Sequence, residues 1–253
     1  MQYNNPYNQQ QQEPQQPRDL FPSIWGSEED FARGVSSCLA RVFMRMFAAL
    51  LVTAAVSFGI YSSEAAMQYV MDHPIMMIVL IVAQLILVMV LAFRVMKMSP
   101  AVSNVMFFTY AILTGITLSV IFISYEISTI FQAFAISALM FGAMAIYGTI
   151  TKRDLTGIGT ILRMALIGLI IASIVNIFVW SDTLRVIINY AGVLIFVGLT
   201  AYDTQRIKNM LAEANEANEE EAVKKISVMG ALILYLDFIN IFLKILAILG
   251  RRR

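Results

Sequence analysis

Residues 231–246 read ALILYLDFINIFLKIL. The run is apolar almost throughout, yet it carries Asp237, Asn240 and Lys244. Their spacing of i, i+3 and i+7 stacks all three on one face of a helix. A carboxylate inside a long apolar helix is costly unless it faces protein, a partner or water. Asp237 therefore needs a counterpart. The sequence offers one in residues 198–208, GLTAYDTQRIK, where Asp203 sits just inside the end of another apolar run.

The chain around these stretches is 59% apolar and only 14% charged, with a mean hydropathy of +0.73. A soluble domain is nearer half apolar and about a quarter charged. Several runs reach the roughly 18 to 20 residues that cross a bilayer. The expectation is an all-α polytopic membrane protein whose main partner is the lipid bilayer. A net charge of +1 without an Arg–aromatic cluster gives no nucleic-acid partner. Cys38 is the only cysteine and His73 the only histidine. That leaves neither an intrachain disulfide nor a zinc-type site of nitrogen and sulfur ligands. No cofactor is expected. The polar start, MQYNNPYNQQQQEPQQP, does not have the form of a cleavable signal peptide.

Residues 1–36 read as a disordered Gln/Asn-rich tail, too poor in apolar surface to offset its ordering entropy. The tail is a candidate arm for unidentified protein partners. Residues 37–253 read as one transmembrane domain of seven segments: 39–61, 75–96, 103–124, 130–150, 161–180, 186–207 and 228–249. Lys and Arg alternate between connections. Arg41 and Arg45, Arg94 and Lys97, Lys152, Arg153 and Arg163, and Arg206 to Lys225 fall on one side, which the positive-inside rule makes cytoplasmic. The expected localisation is an integral, multi-pass protein of a bacterial inner membrane with a cytoplasmic N-terminus. Seven crossings would then place Arg251, Arg252 and Arg253 outside, unless the last segment is re-entrant. The stretch 209–225 reads as a solvated helical extension. Its Glu220–Lys224 and Glu221–Lys225 pairs have the favourable i, i+4 order.

Asp203 and Asp237 are the candidate pH sensor and ion path. Two close carboxylates in a low dielectric do not readily both ionise, so a shared proton would join their helices. Asn240, Arg206 and Arg94 are candidate supporting residues; for Arg94, spacing alone favours a side chain that snorkels to the interface. The bland reading of Asp203 is an interfacial acid paired with Arg206 or Lys208. Gln84, Asn104, Thr114, Thr117, Tyr147 and Asn176 are expected to hydrogen-bond between helices. Gly142 with Gly148 suggests close packing.

At residues 198–208 and 231–246 the chain resembles the Bax inhibitor, or transmembrane Bax-inhibitor-motif, family, in its bacterial type. Residues 107–118, FFTYAILTGITL, and the Gly-containing connection at 152–159 support the resemblance, which covers about residues 36–250. It implies seven helices with the last one central, and a calcium leak gated by pH. It also implies a paired-aspartate sensor, which falls on Asp203 and Asp237, and a restraining arginine near the end of the second helix, for which Arg94 is the nearest match. An acid expected in mid-helix is replaced by Gln84.

Three functions compete at this point. A leak would let two carboxylates hold calcium transiently, since hard cations take oxygen ligands and a conducting site must also release them. An intramembrane aspartyl protease would use the same pair for acid–base hydrolysis. However, no Gly-x-Gly precedes Asp237 and there is no Pro-Ala-Leu motif. A scaffold for other membrane proteins is the third, hinted at by the tail. The leak, not an enzyme, is the expectation.

Overall fold

The structure is a computed structural model and describes residues 28–250. Among the described residues nine α-helices follow one another: α1 Glu28–Ser62, α2 Glu64–Asp72, α3 Pro74–Arg94, α4 Pro100–Leu118, α5 Ile121–Ser124, α6 Ile127–Ile150, α7 Thr156–Val179, α8 Asp182–Glu216 and α9 Glu220–Leu249. A 3₁₀ turn, Val95–Lys97, closes α3. Among the described residues seven segments are long and apolar enough to cross a membrane. The chain is an all-α, multi-pass membrane protein.

Local chemistry explains where the helices begin and end. Pro74 and Pro100 stand in the first turns of α3 and α4, where the missing N–H would have no partner anyway. Ser63, Ser99 and Ser181 cap α2, α4 and α8 by accepting backbone N–H bonds. Asp154 accepts from both the hydroxyl and the amide of Thr156 at the entry to α7. Those two bonds, the hydroxyl's first, hold its carboxyl below the usual carboxylate range.

Three boundaries differ from the sequence expectation. α1 begins at Glu28, inside the stretch read as tail, because Val35, Cys38, Leu39 and Val42 form a buried face that continues the helix upstream. Residues 1–27 and 251–253 lie outside the described residues, so most of the tail and the three terminal arginines do too. The connection after α1 contains a helix of its own, α2. The third segment is split, with α5 following α4 after a break at Ser119 and Val120. The stretch 209–225 is helical on both sides of a tight turn at 217–219. Asn218 takes a left-handed conformation there, which Asn tolerates better than most side chains. The Glu219 amide reaches back to the Ala214 carbonyl. Both expected ion pairs form on α9, Lys224 to Glu220 at 3.3 Å and Lys225 to Glu221 at 2.8 Å.

The helices sort by what surrounds them. α9 is central and packs on α8, α1, α6, α4 and the 3₁₀ turn. It is unbroken over 30 residues, so it has no interruption of the kind a re-entrant segment needs. α3 and α7 lie at the periphery with little of their surface buried. Phe178 and Leu139 are 78% and 74% exposed, as lipid-facing side chains must be where hydrocarbon is the solvent.

Tyr235 anchors α9 to its neighbours. It is fully buried, and its ring meets Phe107 and Tyr110 edge-on. Its hydroxyl lies 2.7 Å from Thr53 Oγ1, and that oxygen donates its own hydrogen to the Ala111 carbonyl at 2.9 Å. Thr53 has one hydrogen to give, so Tyr235 is the donor of the pair. Tyr235→Phe removes this bond and leaves Thr53 still donating to Ala111. We expect a loss of about 1 kcal/mol, read as a lowered unfolding midpoint in detergent, with no change in helix content.

Of the side chains expected to bond between helices, Gln84 does so. Its Nε2 donates to the Leu113 carbonyl and to Thr117 Oγ1 on α4. Thr114 donates along its own helix to Tyr110, and Asn176 accepts from the Ser181 amide at the next helix start.

Candidate functional site: an acid pair between the last two helices

α8 and α9 form an antiparallel hairpin, and two contacts fix its register. Ile207 packs against Gly230, and Lys244 packs across Gly192. Counting away from the turn, Asp203 is four residues beyond Ile207, and Asp237 is seven beyond Gly230. The acids are thus offset by three residues on this count and by four on a count from the Gly192–Lys244 contact. Either is about one turn, roughly 4.5 to 6 Å of rise. Both lie on the facing sides of the hairpin, Asp237 because it is i+7 from Gly230 and i−7 from Lys244.

The register sets the two acids about one turn apart on facing sides of the hairpin, and Asp237 is only 5% exposed. Its Oδ2 is buried and has no hydrogen-bond partner among the described residues. Asp203 is half-buried. The cations acting on it are Arg206, three residues on in α8, and Arg163 of α7. Arg94 is not among them. It ends α3 as an exposed residue, in keeping with the snorkelling expected from spacing. Asn240 is half-buried and donates to the Leu236 carbonyl of its own helix at 2.8 Å, so it does not bond to the pair.

Several residues of the 198–208 stretch have a packing task. Gly148 of α6 lies against the backbone of Ala201, so close that a side-chain carbon would collide with the Ala201 carbonyl. Gly159 of α7 makes the same allowance for the Tyr202 ring. Gln205 holds the α6–α7 connection from both sides, accepting from the Leu155 amide at 2.9 Å and donating to the Arg153 carbonyl at 2.8 Å. Lys208 donates to the Thr149 carbonyl at 2.7 Å. These contacts clamp α8 between α6 and α7 at the height of Asp203. Thr204 is fully buried beside it, and its hydroxyl has no partner among the described residues.

Sequence reasoning did not bring Arg163 to the site. Its guanidinium lies 5.0 Å from the Tyr202 ring centroid, within cation–π range, and its Nε donates to the Gly159 carbonyl at 3.3 Å. The available signal was a basic residue inside the fifth apolar run, four residues after a glycine. Among the described residues no group of three or more His, Cys, Asp or Glu could hold a resident metal. The site has two carboxylates and could supply a cation with only a few oxygen ligands, an arrangement suited to brief occupancy.

Seven candidate membrane-crossing helices among the described residues, the last of them central, with two acids in the final hairpin, define a polytopic helical membrane protein. The chain belongs to the Bax inhibitor family: the profile described as "Inhibitor of apoptosis-promoting Bax1" matches residues 35–253. It is similar to "Inner membrane protein YbhL" of Escherichia coli strain K12, with 46% identity over 220 residues, 87% of this chain and 94% of that protein. Uncharacterised proteins of Deinococcus radiodurans and Borreliella burgdorferi are 39% and 38% identical over 85% of the chain, covering 90% and 92% of their own lengths.

Proposed function

We propose that the protein is a pH-sensitive cation leak, with calcium as its transported ion and Asp203 and Asp237 as both sensor and ion path. The observation that carries this reading is the buried Asp237, with an unpartnered carboxyl oxygen, facing a second acid across a two-helix seam. An acid inside a membrane bundle that only packs would be expected to have its oxygens satisfied. A shared proton closes the seam, and changing the protonation of the pair loosens it. Arg206 and Arg163 bias this balance from α8 and α7.

The reading is non-enzymatic, since the sequence around Asp237 lacks the motif context of a membrane aspartyl protease. It requires no cofactor. Its setting is a bacterial inner membrane, as the printed name of the Escherichia coli relative suggests, with the basic end of the bundle cytoplasmic. Lys97, Lys152, Arg153, Lys224 and Lys225 all lie near that end, which supports this orientation under the positive-inside rule.

The test is calcium flux into liposomes that contain only this protein, measured across pH. A pH-dependent flux above that of empty liposomes is expected. A scaffold would give none under any condition, and that result would remove the leak reading.

A further inference from the structure

Lys244 has no part in the pair, yet it stands on the same face of α9, seven residues beyond Asp237. That is about 10 Å farther from the hairpin turn, at 1.5 Å per residue. The side chain is half-buried, with no hydrogen bond or ion pair among the described residues. Its aliphatic stem lies over Gly192 of α8, where a Cβ would come within 3.1–3.2 Å of its Cγ, Cδ and Cε atoms. The missing side chain at Gly192 is thus the slot in which the lysine lies. Gly192 is ten residues into α8, about 15 Å below the start of that helix. The stem is therefore held inside the seam instead of extending from the helix end.

Beyond Lys244 the seam ends in a cavity of about 160 Å³ lined by Tyr125, Arg185, Asn189, Ala247 and Gly250. The charged group there is again a cation, Arg185, paired at 2.6 Å with the exposed Asp182. The outer half of the seam thus holds one cation without an acid partner among the described residues, Lys244, since Arg185 is balanced by Asp182. On the leak reading, a cation that follows this seam toward Asp237 passes an ammonium with no ion-pair partner among the described residues.

Resting on the leak reading above, we infer that Lys244 is a charge barrier in the seam that restrains the leak and sets its preference between monovalent and divalent cations. The energy of an ion beside a fixed charge is proportional to the ion's valence. Removing the fixed charge therefore changes a divalent rate by the square of the monovalent factor. This relation separates a charge barrier from mere loosening of the helices, which would raise both rates alike.

The experiment measures calcium and potassium flux in liposomes for the wild type, Lys244→Met, Lys244→Gln and Lys244→Arg, each first checked for a single elution peak and native helix content. Both neutral variants are expected to raise potassium flux about threefold and calcium flux about ninefold, on the valence argument. Lys244→Arg keeps the charge and stays near the wild type. Equal increases for both ions, or an arginine variant as leaky as the methionine one, would overturn the inference and leave the leak reading intact. Flux that is present but unchanged in the neutral variants would do the same. Absence of flux in all four proteins would overturn the leak reading and this inference with it.

Discussion

Asp203→Asn and Asp237→Asn are each expected to flatten the pH dependence of calcium flux, and the double variant to behave like either single one. The amide keeps the shape and much of the hydrogen bonding of the carboxyl but cannot gain or lose the proton. If one proton serves both groups, either substitution removes the whole switch, and the second has nothing left to remove. Groups in one network depart from additivity by about 0.5–3 kcal/mol, whereas independent sites add. The measurement is flux against pH for the wild type and the three variants, reconstituted at equal protein-to-lipid ratio. If both single variants keep the wild-type midpoint and slope, Asp203 and Asp237 do not act as a shared sensor, and Asp203 becomes a helix-end charge balanced by Arg206.

Most of the fold was legible because bilayer physics leaves few choices. An apolar run of about 20 residues has to be a helix, and all seven appear. α1 and α9 begin well before their expected starts, and α8 ends well after its expected end. Asp203 reads as lying one turn inside a helix end at residue 207, but the helix runs on to Glu216. Hydropathy marks where lipid stops, not where backbone hydrogen bonding stops, and the Glu- and Ala-rich continuation favours a helix in water as well. The two acids could be picked out because a charge in an apolar run is conspicuous. Their surroundings could not. Arg163 comes to the site from another helix through tertiary packing, and Arg94, the arginine nearest in expectation, stays exposed. The glycines show the same limit. Gly142 and Gly148 look equivalent in sequence, six residues apart in one apolar run, and only the packing of α6 on α8 distinguishes them.

That difference yields the second large effect. Gly148→Ala is expected to destabilise the protein, Gly159→Ala to do so less, and Gly142→Ala to be neutral or stabilising. A Cβ at Gly148 would collide with the carbonyl of Ala201 and come within 3.0 Å of its Cα, all of it helical backbone. α6 and α8 would have to move apart, and α8 is already held by Gln205 and Lys208 at the same height. Overpacking of this kind typically costs about 1–3 kcal/mol, occasionally more. At Gly159 the new carbon meets the Tyr202 ring, a side chain that can tilt at smaller cost. At Gly142 nothing lies within 4 Å. There alanine gains about 0.4–1 kcal/mol by restricting the unfolded chain. Thermal unfolding in detergent ranks the three. Because Gly148 sits against the residue two before Asp203, its alanine variant should also shift the pH midpoint of calcium flux, whereas Gly142→Ala should not. Equal stability of Gly148→Ala and Gly142→Ala would show that α6 does not press on α8 beside the acid pair.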